Sequence, residues 1–364
     1  MNINKRIKNG KTKLNIISLL LMFTFVFISV SDVQAFAATK SVEEMFISEE
    51  NYAEEMEAKV EPYLESIVES GYFTGEEELN IYYQKYVLDN AKGSIIISHG
   101  FSEFLGRQTE MIYYFLQQGY SVFTLEHRGH GRSGLLGSDD SQILVEDFDY
   151  YVEDLKTYID EIVIPDSKDN NLYIFAHSMG GAIATKFIEV YPEYITSAVL
   201  SAPMFQVNTG SYPAIFAKTL ANVMNFIGLG QRYVLGEAPY SDEYYFETCG
   251  TTSQARYDYS YNIVVENKEY QRGGASYKWL KEALAATKEI TSKKNASLVE
   301  TPILLFQAEN DTMVLPDGQD KFAEYAQNCE LIKVDGARHE IYRENDELLK
   351  PYLAKIFNFF EENN

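Results

Sequence analysis

The chain has 364 residues, 46% of them hydrophobic and 23% charged, a balance that excludes a disordered or fibrous protein. Its length allows one large domain or two ordinary ones. Thirty-one Lys and Arg against 54 Asp and Glu give a net charge of −23, so no nucleic-acid partner is expected, because a duplex binder needs a basic face. Aromatic residues reach 14%, which points to large buried or substrate-facing apolar surfaces.

Five cations (Lys5, Arg6, Lys8, Lys11, Lys13) precede an uncharged apolar run over residues 14–30, and Ala35, Ala37 and Ala38 follow. This order reads as a secretory signal peptide over 1–37, cleaved near Ala37, and implies a secreted protein. The run has 17 residues, at the lower edge of a bilayer span, so an uncleaved N-terminal anchor is the alternative. Cleavage leaves 26 cations against 53 anions, a charge of −27.

Residues 38–70 form an acidic segment whose apolar positions (Met56, Val60, Tyr63, Leu64, Ile67) recur at helical spacing. Alternation over 72–87 predicts a β-hairpin at a sheet edge. Short apolar runs then follow at 94–98, 120–125, 172–175, 198–201, 303–306 and 331–334, separated by helical periodicities. The clearest stripe is Val145, Phe148, Val152, Leu155, Ile159 and Ile162. Strands buried on both faces and separated by helices predict an α/β fold with a mostly parallel central sheet. Residues 71–203 and 299–364 supply this core. Between them, 204–298 holds no strand-like run and reads as a mainly helical cap, because a connection that long is not a simple loop. Its stripe (Ile215, Phe216, Leu220, Val223, Met224, Phe226, Ile227) is either cap core or the wall of an acyl-chain pocket.

Cys249 and Cys329 are the two cysteines, either a disulfide or a pair of free thiols. With no CxxC and no Cys/His cluster, no structural zinc or other metal site is expected.

The run at 172–175 leads into Ala176-His177-Ser178-Met179-Gly180-Gly181 and then a helical pattern. A serine between strand and helix, flanked by small residues at two before and two after, fits a nucleophile elbow. A serine in an ordinary tight turn is the alternative. The run at 94–98 leads into His99-Gly100-Phe101, where a backbone N–H is placed to pair with the one after the nucleophile as an oxyanion hole, making Phe101 and Met179 the candidate donors. Asp311 follows the run at 303–306, with Glu309 as a rival acid, and His339 lies in the loop after the last run. His99, His127, His130 and His177 all fall within motif stretches, which leaves His339 as the candidate general base. The Gly-rich turn 126–134 lacks the Lys-Ser/Thr of a P-loop and reads as a hydrogen-bonded buttress.

His99-Gly100-Phe101, the stretch 126–133 (EHRGHGRS), His177-Ser178-Met179-Gly180-Gly181, Asp311 and His339 together resemble the lysophospholipase and monoacylglycerol lipase branch of the α/β-hydrolases. Arg256 and the stretch 273–279 (GGASYKW) are similar to the caps of bacterial lysophospholipases. The resemblance runs from Tyr72 to Phe360 and departs at Ala176, where the elbow usually has Gly, and at Glu126, where Asp is common. It implies a cofactor-free serine hydrolase of carboxylic esters, with Ser178, Asp311 and His339 as its triad. Monoacyl lipids are the implied substrates, with Phe216, Leu220 and Phe226 touching the acyl chain. A small soluble ester or amide is the alternative substrate, and a non-catalytic binding protein of the same fold is the alternative class. Contact with a membrane or micelle through the cap is the one further association implied; nothing points to a protein partner.

Overall fold

The apolar runs become the strands of one eight-stranded sheet. The computed structural model describes residues 40–167 and 171–364, all within the unit Phe36–Asn364; the expected signal segment lies outside the described residues. Strands β1 (Val68–Thr74) and β2 (Asn80–Tyr86) form the expected edge hairpin, and β2 pairs antiparallel with β4 (Ser121–Leu125). β3 (Ser94–Ser98), β5 (Leu172–His177), β6 (Ser197–Ser201), β7 (Ile303–Ala308) and β8 (Cys329–Val334) complete the sheet in the order β1-β2-β4-β3-β5-β6-β7-β8, parallel from β4 onward.

Every residue of β3 to β7 is buried, because helices cover both faces. Side chains alternate between the two cores. Ile96, Ile174 and Leu200 enter one, beside helices α2 (Asp149–Tyr158) and α3 (Met179–Val190). Ile97, Tyr173 and Val199 enter the other, beside α1 (Thr109–Gln117) and the C-terminal helix Asp346–Glu362.

The acidic segment after residue 40 folds as short helices (Val42–Met45, Tyr52–Glu55, Glu61–Glu65) and buries Met56, Val60 and Leu64 in the second core. The fully buried Arg256 holds it there: its guanidinium pairs with Glu110 at 2.9 Å and Asp346 at 3.0 Å and donates to the Ile47 carbonyl at 2.9 Å. The resemblance singled out Arg256; its structural task is to join the acidic segment, α1, a cap helix and the C-terminal helix.

Between β6 and β7 come α4 (Ala214–Phe226), α5 (Gln254–Glu266) and α6 (Tyr277–Ile290). Within the span read as cap, α6 packs on α4 and also along α3, and its Trp279, Leu280, Ala283, Ala286 and Ile290 bury in the first core. Helical spacing alone does not distinguish a cap helix from one that rejoins the body. Cys249 and Cys329 are both free thiols. Among the described residues no helix is long and apolar enough to cross a membrane.

Candidate active site

Sheet order places the site. The chain leaves β3 toward β4 on one side and returns to β5 on the other, so the β3–β5 crevice is the point where parallel sheets of this kind bind ligands. The loops after β3 and β5 meet there, and those after β7 and β8 bring Asp311 and His339.

Ser178 occupies the turn between β5 and α3 with φ +50° and ψ −117°, a conformation that costs a non-glycine residue on the order of 1–3 kcal/mol. Three backbone bonds hold the strain: Ser178 N–H donates to Ser201, and the N–H groups of Met204 and Ala182 donate to the Ser178 carbonyl. The following glycines are steric requirements. A Cβ on Gly180 would stand 2.1 Å from the Ser98 carbonyl oxygen, and one on Gly181 2.6 Å from Pro203 Cβ. Ala176 lies inside the strand, fully buried between Ser98 and Leu200, and its methyl group is accommodated there.

From Ser178 Oγ a chain of hydrogen bonds runs 2.8 Å to His339 Nε2 and 2.7 Å from His339 Nδ1 to Asp311 Oδ2. All three residues line one cavity wall or support it, and Ser178 and His339 are buried. Burial pushes the Asp311 carboxyl up, but the His339 hydrogen bond and the N–H groups of Val314 and Met313 outweigh it and hold the group below its usual range. The carboxylate is therefore ionised at neutral pH. Glu309 faces elsewhere and accepts from Gly336 N–H at 2.8 Å. The Phe101 and Met179 N–H groups have no acceptor among the described residues, so both remain available to an incoming oxyanion.

The site opens on a cavity of about 610 Å³ whose apolar wall includes Met204, Phe216, Leu220, Trp279 and Leu280. Phe226 is not part of that wall. It is 91% exposed, because six residues beyond Leu220 a helix has turned most of the way to its opposite side. The expected place of Phe226 on an acyl-chain wall is thus corrected, while Phe216 and Leu220 do line the cavity. Glu126 buttresses the 126–134 turn by accepting from Arg132 N–H at 2.5 Å and Leu105 N–H at 3.4 Å.

A second buried pair carried no signal in the sequence. Glu103 Oε1 lies 2.6 Å from His177 Nδ1, while His177 Nε2 faces the His339 carbonyl at 3.2 Å. Glu103 Oε2 accepts from Gly100 N–H at 2.9 Å, so the pair joins the oxyanion loop, the elbow and the base loop. Burial lowers the His177 imidazole's pKa, but Glu103 outweighs this and raises it; the Glu103 carboxyl, pushed up by burial, is brought down by His177. Each partner thus favours the charged form of the other. The His177 contribution to stability is full below about pH 6.5 and fades as pH rises through the higher folded value, whereas the Glu103 contribution is lost only in acid. Glu103→Gln is expected to cost about 3 kcal/mol in urea unfolding at pH 6, and to lose less stability than wild type between pH 6 and 9. Parallel stability–pH curves for the two proteins would refute the ion pair.

Among the described residues no group of His, Cys, Asp or Glu is placed to hold a metal ion.

A mostly parallel sheet with a strained serine elbow after β5, an acid after β7 and a histidine after β8 defines an α/β-hydrolase. Residues 89–346 match the family described as serine aminopeptidase, S33, and the chain belongs to that family. It is 27% identical over 304 residues to a probable lysophospholipase L2 of Haemophilus influenzae, covering 83% of this chain and 95% of the relative. Lysophospholipase L2 of Escherichia coli K12 is 28% identical over 303 residues, covering 80% of this chain and 87% of the relative. In fold it resembles a soluble variant of monoglyceride lipase from Saccharomyces cerevisiae, with a TM-score of 0.66 at 17% identity over 82% of this chain and 96% of the other. The chain is a lysophospholipase- and monoglyceride-lipase-like α/β-hydrolase.

Proposed function

We propose that this carboxylic ester hydrolase cleaves monoacyl lipids, lysophospholipids or monoacylglycerols, through an acyl-enzyme on Ser178. The observation that carries the reading is the Ser178–His339–Asp311 chain at the mouth of a large, mainly apolar cavity. Ser178 Oγ attacks the ester carbonyl as His339 Nε2 takes its proton, and Asp311 holds the imidazolium that forms. The N–H groups of Phe101 and Met179 receive the oxyanion. His339 then gives its proton to the departing alcohol, and a water activated by the same base releases the fatty acid. The lysophospholipase and monoglyceride lipase relatives support this substrate class.

The outer face of α4 exposes Ile215, Val223 and Phe226, and Ile227 just beyond its end is exposed too, which supports transient contact between the cap and a lipid surface. The cationic and apolar N-terminal residues support export as a secreted protein.

The test is the chain-length series of p-nitrophenyl esters with residues 38–364. Each methylene that enters the cavity is expected to add about 0.8 kcal/mol, or roughly fourfold in kcat/KM, until the cavity is full. Phe216→Asp is expected to flatten that rise, and Phe226→Asp to leave it intact while weakening association with vesicles. A preference for acetate over every longer ester would favour the small-ester or aminopeptidase reading that the family's description carries.

A further inference from the structure

Beside the main cavity lies a smaller one of about 50 Å³, and the two share Ser102, Arg107, Tyr245 and Tyr257 as walls. Arg272 belongs to the smaller one alone. This arginine is 7% exposed and makes no ion pair among the described residues. Its Nη groups donate to the backbone carbonyls of Asp140 and Gln271 at 2.8 and 3.2 Å and of Gly131 at 2.5 Å. Its Nε is buried without an acceptor, and so is the Nε of Arg107. Arg107 reaches Glu340 at 3.3 Å, but that carboxylate is also held by Arg343.

Arg107 and Arg272, both on the wall of the small cavity, each hold one N–H group without a partner among the described residues, whereas buried polar groups in folded proteins ordinarily have partners. Their natural complement is an anion with several acceptor oxygens. The walls carry two cations against one carboxylate, the exposed Glu243, in a protein whose overall charge is −23. Glu126, Asp140 and Glu269 act on Arg272 from longer range without pairing with it. Ser102 and Tyr240 add hydroxyl groups to the walls.

Position narrows the class of anion. Ser102 follows Phe101, one of the two candidate oxyanion donors, so the pocket begins next to the point where the ester carbonyl would be attacked. In a lysophospholipid a glycerol backbone separates the scissile ester from the phosphate. With the acyl chain along Phe216 and Leu220, a head group that passes from the main cavity into the smaller one crosses the shared wall at Ser102 and Arg107. We infer that the pocket formed by Arg107 and Arg272 receives the phosphodiester of a lysophospholipid head group and makes the enzyme prefer that substrate to a neutral monoacylglycerol. The inference rests on the monoacyl-lipid reading above and sharpens it.

The experiment compares kcat/KM for 1-palmitoyl-lysophosphatidylcholine and 1-monopalmitoylglycerol, which share an acyl chain and differ in the head group. Wild type is expected to favour the lysophospholipid, and Arg272→Gln to lower the ratio of the two by tenfold or more. Damage to the fold or the triad lowers both rates together and leaves the ratio unmoved. Arg272→Lys, which keeps the charge, is expected to lose less of the ratio. Should Arg272→Gln not fold, Tyr240→Glu sets a carboxylate on the pocket wall from an outer loop and carries the same expectation. Glycerophosphocholine is expected to inhibit p-nitrophenyl butyrate hydrolysis by wild type more strongly than by the variant. An unchanged ratio overturns the inference, and inorganic phosphate inhibiting as well as glycerophosphocholine would then identify a free-anion site. Wild type that hydrolyses p-nitrophenyl butyrate but neither lipid would instead defeat the monoacyl-lipid reading itself, and the head-group role with it.

Discussion

Ser178→Ala is expected to lower kcat by on the order of a million-fold, the scale on which triad enzymes lose turnover without their nucleophile. The fold is expected to persist. Among the described residues the Ser178 side chain hydrogen-bonds His339 alone, and the strained backbone is held by bonds from Ser178 N–H and to its carbonyl that alanine retains. The change in unfolding free energy is therefore expected to be about 1 kcal/mol or less. Labelling by a fluorophosphonate probe is expected to vanish with the hydroxyl, while binding of a non-hydrolysable monoacyl lipid persists because the cavity wall is untouched. A folded alanine variant with near-normal turnover would remove Ser178 from the mechanism and favour a non-covalent route or another nucleophile. Partial loss in step with partial unfolding would leave stability, not chemistry, as the cause, which is why the urea midpoint belongs beside the rate.

The fold, and the loops that bring Ser178, Asp311 and His339 together, were legible in the sequence for physical reasons that also mark where legibility ends. Parallel strands covered on both faces are apolar throughout, so β3 to β7 stand out as short unbroken runs. Ser178, Asp311 and His339 each follow such a run, and their order along the chain carries the geometry. The orientation of α4 was not legible. A period of 3.6 shows which residues share a face, but not whether that face turns to the cavity, the body or the solvent; hence Phe216 and Leu220 line the cavity while Phe226 faces out. The same limit hid α6, whose apolar spacing serves the core as well as a cap. Pairings between distant segments left no pattern at all. Glu103 and His177 are 74 residues apart, and Arg256 meets Ile47 across 209. Neither a turn motif nor a periodicity links such residues; only sheet order brings them together.

Asp311→Asn is expected to lower kcat by on the order of ten-thousand-fold, and the hydrogen bonds around the carboxylate explain why a change of one atom does so much. Asp311 Oδ1 accepts the N–H groups of Met313 and Val314 at 2.8 and 3.0 Å, while Oδ2 faces His339 Nδ1 at 2.7 Å. An asparagine in this place keeps its carbonyl oxygen on the two backbone donors, because its NH2 group donates and cannot accept from them. The amino group then points at His339 Nδ1 and donates to it. That bond favours the tautomer with the proton on Nε2, which has no lone pair to receive the proton of Ser178. The geometry survives and the base is switched off, so substrate binding is expected to change far less than kcat. Glu309→Gln is the control. Its side chain supports Gly336 at an exposed turn and makes no contact with His339, so activity within about twofold of wild type is expected. The opposite ranking, with Glu309→Gln inactive and Asp311→Asn near normal, would move the acid to Glu309 and require His339 to turn away from the partner it has here.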